Sequence, residues 1–190
     1  MKIIGVESVI YGVEDVDQAT RFHVDWGLEL TDKGFAGSDF KLPDDTSVHV
    51  RRMDEASLPP ASVPGSTARE VIWGVEDKAT LDAIGAELSI DREVTVNSDG
   101  GLHSYDNLGY RLGFRLSARK PKPATLSDTN TVWNAPRVDT RAGLFSRSGV
   151  RQQRMFHVVY WAPGDTEAHA KFYIDRLGFQ LTESVKGIGF

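Results

Sequence analysis

The sequence predicts an α+β protein built from tandem βαβββ modules, of which the third is incomplete. Three observations predict this fold class. One segment occurs three times in related form, an aspartate and a helical pattern of apolar residues follow each copy, and runs typical of strands follow the first two helices. The 190 residues, 40% of them hydrophobic, are enough for an ordinary buried core.

The repeated segment begins with a run of apolar and aromatic residues that favours a buried strand. Its three copies are VESVIYGVEDVDQATRF from Val6, AREVIWGVEDKATLDAI from Ala68 and MFHVVYWAPGDTEAHAKFY from Met155. We therefore expect strands over residues 9–13, 71–75 and 158–161.

Each of these runs is followed by an aspartate at the position of a helix N-cap. Asp15, Asp77 and Asp165 could each accept hydrogen bonds from first-turn amides and suit the positive end of the helix dipole. The residues that follow predict an apolar stripe on each helix, which we interpret as core packing. The stripes are Val16, Ala19, Phe22 and Trp26 in the first helix, Leu81, Ile84 and Leu88 in the second, and Ala168 and Phe172 in the third.

Further strands and turns complete the first two modules. Gly27 and Gly178 stand where a left-handed residue ends a helix before a new strand. The additional predicted strands cover residues 39–42, 47–53, 93–97, 102–105 and 111–116. One helix followed by three strands is thus the repeating pattern.

Two connectors of different length set the expected domain organisation. The short ASLPPASVPGST joins two halves of one domain, whereas a long stretch with three prolines leads to a second domain. We therefore expect an N-terminal domain of two modules at 1–117, a connector at 118–152 and the start of a second, incomplete domain at 153–190.

Composition excludes several classes of function. With 22 Lys and Arg against 27 Asp and Glu, the net charge is -5, which disfavours nucleic acid and membrane surfaces as partners. The absence of cysteine leaves His, Asp and Glu as the possible metal ligands. No nucleotide-binding or serine-hydrolase motif occurs, and without a signal peptide or an apolar run of about 20 residues a cytoplasmic location is expected.

The third copy carries a family resemblance. FHVVYWAPGDTEAHAKFYIDRLGFQLTES resembles the opening of the catalytic domain of two-domain extradiol dioxygenases, and the first half, ending NLGYRLGFRLS, resembles their N-terminal domain. These enzymes belong to the vicinal oxygen chelate superfamily, with glyoxalases and bleomycin-resistance proteins. The resemblance implies a cupped mixed sheet, an aromatic catechol-like substrate, and Fe(II) or Mn(II) held by two His and one carboxylate in the second domain.

This resemblance transfers one metal ligand, His157, because the family places its first ligand in the opening strand of the catalytic domain. Strand alternation predicts His157, Val159 and Trp161 on one face, with Val158 and Tyr160 on the other.

The equivalent positions in the first two modules hold Ser8 and Glu70. Serine makes a metal there implausible, and Glu70 is expected to be a half-exposed carboxylate, so the N-terminal domain is expected to be non-catalytic. The other four histidines are interpreted as isolated surface or rim residues, since none forms an HxH, HxxE or HExxH spacing: His23, His49, His103 and His169. The basic RKPK run at Arg119 is interpreted as a solvated connector.

The final ESVKGIGF reads as a turn and the first residues of a strand. We therefore expect further sequence to carry the second His, the carboxylate and the acid-base residues, and the fragment alone to be inactive. An unpaired third module should also favour a homo-oligomer.

Two functions stay open. The chain is either the N-terminal portion of an extradiol-type ring-cleaving dioxygenase or a metal-free small-molecule binding protein of the same fold. In the second case the cup would hold an apolar ligand, lined by Trp73, Trp161 or Tyr160.

Overall fold

The computed structural model describes residues 2–121 and 152–184. Most of the predicted connector, 118–152, lies outside the described residues, as do the last six residues of the chain. Within the described ranges, no helix is both long and apolar enough to cross a bilayer.

The first two modules form one eight-stranded mixed sheet. Its strands are β1 (Ile3–Val13), β2 (Glu29–Lys33), β3 (Gly37–Lys41), β4 (Ser47–Arg52), β5 (Thr67–Val75), β6 (Thr95–Val96), β7 (Leu102–Tyr105) and β8 (Arg111–Leu116), and their order across the sheet is β2-β3-β4-β1-β5-β8-β7-β6. The predicted α+β class and modular pattern are confirmed. The segment predicted as a strand at 93–97 is reduced to two residues, Thr95 and Val96.

The two modules are related by the pairing at the centre of the sheet. β1 and β5, the first strands of the two modules, run antiparallel with Val9 opposite Val71. Each also pairs in parallel with the last strand of its own module, β1 with β4 and β5 with β8. The repeated sequence therefore occupies equivalent central positions in both halves of the sheet.

Alternation along the strands divides the sheet into two faces. Val71, Val75, Leu112 and Phe114 belong to buried clusters that lie on the side of the helices, which we call the helix-bearing face. The side chains between them point the other way, towards what we call the helix-free face. Polar and charged residues predominate there, including Glu70 on β5 and Arg111 on β8.

The helices are α1 (Val16–Asp25), α2 (Lys78–Leu88) and α3 (Thr166–Lys171), and α3 continues into a π-helical turn at Phe172–Arg176. All three predicted caps are confirmed, since the side chains of Asp15, Asp77 and Asp165 accept from the backbone amides of Gln18, Thr80 and Ala168. Gly27 and Gly178 have φ of 92° and 75°, the left-handed conformation predicted after the helices.

The predicted apolar stripe is correct for α2 and partly wrong for α1 and α3. Leu81, Ile84 and Leu88 are buried, but Phe22 and Trp26 of the first stripe are each 55% exposed. Val16 and Ala19 do pack against the core, whereas the buried position of α1 is Thr20, whose hydroxyl bonds to Ser38 Oγ at 2.8 Å. In α3, Phe172 is buried but Ala168 is exposed. A short amphipathic helix can turn by one residue about its axis, and spacing alone does not determine that rotation.

Candidate functional site

His157 lies on an extended segment, residues 155–161, that crosses the helix-bearing face. Val158 and Tyr160 pack against the cluster formed by Val6, Val9 and Val71. His157 is exposed, and Val159 and Trp161 on the same side are 84% and 74% exposed. The predicted alternation of side chains is therefore confirmed.

The predicted strand at 158–161 does not form as part of a ladder. Within the described ranges, residues 156–162 make no backbone–backbone hydrogen bond, although the Tyr110 hydroxyl donates to the Trp161 carbonyl at 2.8 Å. A strand is held by the amides and carbonyls of a neighbouring strand, and the described residues supply none here. The segment is extended but unpaired.

The described residues do not make up a metal site. No group of three His, Asp or Glu side chains in residues 2–121 and 152–184 is placed to hold a metal ion. A single exposed imidazole does not define one, because stable divalent sites use three or four protein ligands. The assignment of His157 as a metal ligand thus stays a prediction.

Glu70, the second-module residue equivalent to His157, takes part in an ion-pair network. Glu70 accepts a hydrogen bond from His103 Nδ1 at 2.6 Å and from Arg111 Nε at 3.2 Å. Arg111 Nη1 also bonds to the Tyr105 hydroxyl at 3.1 Å. Glu70 is 6% exposed and His103 is 8% exposed, so the expectations of a half-exposed carboxylate and a rim histidine were both wrong. The partners come from other strands of the module, and the sequence gives no local sign of them.

A second carboxylate, Glu7, is completely buried next to Ser8, the first-module residue equivalent to His157. Its oxygens accept from Ser117 Oγ at 2.6 Å and from the Ala118 amide at 3.4 Å. Arg119 donates to the Val6 carbonyl, and its Nε lies 3.8 Å from Glu7. The interpretation of Arg119 as part of a solvated connector was therefore wrong. A buried carboxylate needs such partners to offset its desolvation.

A third cluster occupies β3 and β4 on the helix-free face. His49 Nδ1 lies 2.8 Å from Asp39 Oδ1, and His49 Nε2 lies 3.0 Å from Ser47 Oγ. Arg51 Nη1 contacts the same Asp39 oxygen at 2.6 Å. Burial opposes ionisation of Asp39, but the hydrogen bonds from Arg51 and His49 outweigh it and lower the pKa of the carboxyl. His49 is thus not an isolated histidine.

The third helix is attached to the second module by polar contacts. His169 is 7% exposed, and its Nδ1 lies 2.5 Å from Asn107 Oδ1, so its interpretation as a surface histidine was wrong. The Tyr173 hydroxyl donates to Asp106 at 2.9 Å. Burial, then the neighbouring Tyr160 and then the charge of Asp106 raise the pKa of Tyr173, which therefore stays a hydrogen-bond donor at neutral pH.

An arginine completes this attachment. Arg176 donates to the Glu87 carboxylate at 2.8 Å, to the Glu87 carbonyl at 2.9 Å and to both oxygens of Asp91 at 2.9 Å. Glu87 belongs to α2, and Asp91 lies three residues after the last residue of that helix. We call this set of contacts the Arg176 clamp, and it ties the π-helical turn to the end of α2.

A largely apolar cavity of about 670 Å³ separates the third module from the sheet. Its walls bring together Trp73, Tyr160 and Trp161, the residues predicted to line a ligand site, with His169, Tyr173 and Phe179. Trp73 packs with the helix-side cluster, so the cavity lies on the helix-bearing face. The three residues predicted to line a ligand site therefore do meet at one cavity.

Solved structures similar to this chain include a glyoxalase and two dioxygenases. A Mn(II)-bound glyoxalase from Novosphingobium aromaticivorans matches 98% of the chain with a TM-score of 0.68 at 20% identity. BphC, a halotolerant catechol dioxygenase, matches 94% with a TM-score of 0.64 at 15% identity. The 2,3-dioxygenase LapB from Pseudomonas sp. KL28 matches 94% with a TM-score of 0.63 at 18% identity.

The chain shares the fold of these glyoxalase and dioxygenase structures. The resemblance stated from the sequence is thereby confirmed at the level of fold. No protein-family model matches the chain, and no curated protein does. The chain spans 56%, 56% and 59% of the three matched structures, a little over half of each.

Proposed function

We propose that the chain is the N-terminal portion of an extradiol-type ring-cleaving dioxygenase, which acts on a catechol-like aromatic with a non-haem divalent metal, Fe(II) or Mn(II). The observation that carries this proposal is the match of two dioxygenases over 94% of the chain, third module included. Support also comes from the exposed His157, which the third module presents on the side away from the core.

In this proposal the two parts of the chain have different tasks. The first two modules form a structural domain, because the position of Glu70 is occupied by an internal ion pair with His103 and Arg111. The third module supplies His157 as one nitrogen ligand. When bound by His157 and two further protein ligands, the metal supplies open positions at which a catecholate and dioxygen can meet. We place the other two ligands outside the 190 residues, so this chain alone is inactive.

The test uses the product of the complete reading frame. Loaded anaerobically with Fe(II) and then mixed with catechol and air, it should form a yellow ring-fission product. His157→Ala should reduce the rate by at least about 1000-fold, since a missing ligand releases the metal. Metal content measured on the same samples should fall in parallel.

A matched control removes a histidine elsewhere. His23 lies in α1, and its Nδ1 bonds to the Ala19 carbonyl at 2.8 Å, so His23→Ala should keep both metal content and turnover. Full turnover by the His157→Ala protein would reject the ligand assignment. A reading frame that closes without a further His and Glu would reject the dioxygenase proposal itself.

The cavity of about 670 Å³ favours a second candidate, a metal-free binding protein. Its apolar walls suit a flat aromatic molecule. In that case 2-naphthol should quench tryptophan fluorescence saturably in the 190-residue chain without metal, and Trp73→Phe should abolish most of the quenching. Trp26→Phe, at an exposed site on α1, is the control. Binding that is unaffected by Trp73→Phe would place the ligand elsewhere.

A further inference from the structure

The cluster on β3 and β4 has the hydrogen-bond order of a nucleophilic relay. Ser47 Oγ lies 3.0 Å from His49 Nε2, and His49 Nδ1 lies 2.8 Å from Asp39 Oδ1. Both contacts are within the range that lets a base take a proton from a hydroxyl while a carboxylate orients the base. We call Ser47, His49 and Asp39 the relay.

Sheet geometry positions all three side chains. Ser47 and His49 are two residues apart on β4, so they point to the same face, and Val48 and Val50 point into the core behind them. Asp39 stands directly opposite His49 in the antiparallel β3–β4 pair. Two paired strands therefore hold the relay more rigidly than loops would.

The contact with Asp39 favours one tautomer of the neutral His49 ring. A carboxylate can only accept, so His49 Nδ1 must donate to Asp39. In the neutral form of the ring, Nε2 then carries no proton and can accept from the Ser47 hydroxyl. This is the protonation state that a general base needs before it activates serine. Arg51, at 2.6 Å from Asp39, keeps that carboxylate ionised and in place.

Polar groups flank Ser47 on both neighbouring strands. Lys41 stands opposite Ser47 across β3, and Ser8 stands opposite it across β1. The Ser8 hydroxyl is buried and has no hydrogen-bond partner among the described residues. The free Ser8 hydroxyl on the neighbouring strand is a donor of the type that stabilises a developing oxyanion.

No other described serine has this arrangement. Ser104 Oγ donates to the Glu93 carbonyl at 2.8 Å, and Ser117 Oγ donates to the Glu7 carboxylate at 2.6 Å. Neither contacts an imidazole. In the described part of the chain, Ser47 alone combines a hydroxyl with a histidine that is itself held by a carboxylate.

We propose that Ser47 is a nucleophile for acyl transfer from small activated esters, with His49 as its base and Asp39 as the residue that positions His49. Ser47 Oγ forms a bond to the ester carbonyl carbon while His49 Nε2 takes the hydroxyl proton. The carbon–oxygen bond to the alcohol then breaks, and the alcohol leaves with that proton. Water, deprotonated by His49, hydrolyses the acyl-serine and restores the hydroxyl. No redox change occurs.

The burial of Ser47 limits the substrates. The residue is 7% exposed, while the side chains of His49 and Asp39 are 28% and 30% exposed. Solvent therefore reaches the relay from the helix-free face, but only a small acyl or phosphoryl group can approach Ser47. This activity is independent of His157, which lies in the third module. Finding or not finding acyl transfer at Ser47 therefore leaves the dioxygenase proposal unaffected.

The test treats the 190-residue chain with diethyl p-nitrophenyl phosphate in the presence of a chelator. We expect one diethylphosphoryl group per chain, located on Ser47 by peptide mass spectrometry. Ser47→Ala should abolish the adduct, and His49→Gln should slow its formation about 100-fold, the usual size of a general-base contribution. Glutamine can keep both hydrogen bonds of His49, so this variant should stay folded. Peptide mapping of the unmodified sequence locates the adduct without relying on any variant.

Ser104→Ala and Ser117→Ala are the matched controls and should be labelled at the rate of the unmodified sequence. An adduct on Lys41, a rate that is unchanged in His49→Gln, or no adduct at all after prolonged treatment would overturn the proposal.

Discussion

The first strands of modules one and two have paired neighbours, and the corresponding segment of module three has none among the described residues. β1 and β5 pair with each other and with β4 and β8, and their core-facing valines are buried. Residues 156–161 have a similar sequence but no ladder partner among the described residues, and Val159 and Trp161 stay exposed. The same local pattern thus gives a strand or an unpaired segment according to what lies beside it.

The two regions also differ in how they satisfy polar groups. In the paired modules, Glu7 and Glu70 are buried and held by cross-strand partners. The third helix instead attaches to the second module through the partly exposed Arg176 clamp and the contacts of His169 and Tyr173. The first arrangement stabilises a core, and the second fastens one element to its surface.

The largest expected difference lies in the cost of removing an aromatic side chain. Phe114 is 1% exposed in the core of the paired modules, and Phe114→Ala should lower the free energy of unfolding by about 4 kcal/mol. Trp161, 74% exposed, is the matched site in the third module, and Trp161→Ala should cost less than about 0.5 kcal/mol. Urea denaturation measures both. Equal losses would mean that the third-module segment is part of the cooperative core.

The next largest effect is the difference in stability lost when a buried or an exposed carboxylate is replaced by alanine. Glu70→Ala leaves His103 and Arg111 without their common partner and should cost about 3 kcal/mol. Glu167, which pairs with Lys171 on the surface of α3 with its side chain 78% exposed, should tolerate replacement by alanine almost without loss. Thermal unfolding of the two variants side by side tests this comparison. A neutral Glu70→Ala would show that the network contributes nothing to stability.

The smallest effect concerns the Arg176 clamp. Arg176→Ala should lower local stability by about 1 kcal/mol and increase hydrogen exchange in Thr166–Lys171 more than in β1. In the protein with Arg176 in place, lowering the pH should also weaken the attachment of the third helix. Hydrogen bonds from Arg92 and then Arg176 lower the pKa of Asp91 below its ordinary 3.8.

The sign of the acid effect follows from that direction. A carboxyl whose pKa is lowered in the folded state stabilises it above the ordinary pKa, and this contribution fades as the pH falls below about 3.8. The protection of the third-helix amides, corrected for the intrinsic pH dependence of exchange, should therefore stay constant between pH 5 and 8 and fall only in stronger acid. If acid has an equal effect on exchange in the Arg176→Ala protein, the effect does not arise from the Arg176 clamp.

Much of the fold could be predicted from the sequence because its signals are local. The strands at 102–105 and 111–116 agree with the structure, and the three aspartate caps and both helix-ending glycines are in place. Caps and turns depend on residues within one turn of each other, so a short sequence pattern is sufficient to recognise them.

The polar clusters were missed because their members are distant in sequence. Glu70 and His103 are 33 residues apart, and His169 and Asn107 are 62 apart. The relay left a weak signal: Ser47 and His49 share a strand face, and a hairpin turning at 43–45 would bring residue 39 opposite residue 49. A pairing register applied to the predicted strands would have found it.

The sequence by itself determined the modular repeat, the helix N-caps and the alternation that turns His157 outward, since each depends on neighbouring residues and on the period of a strand or helix. Only the tertiary structure decided which carboxylates are buried, which histidines have partners and which side of the sheet holds the cavity. Those features depend on pairing register and helix rotation, which are settled when distant segments pack together.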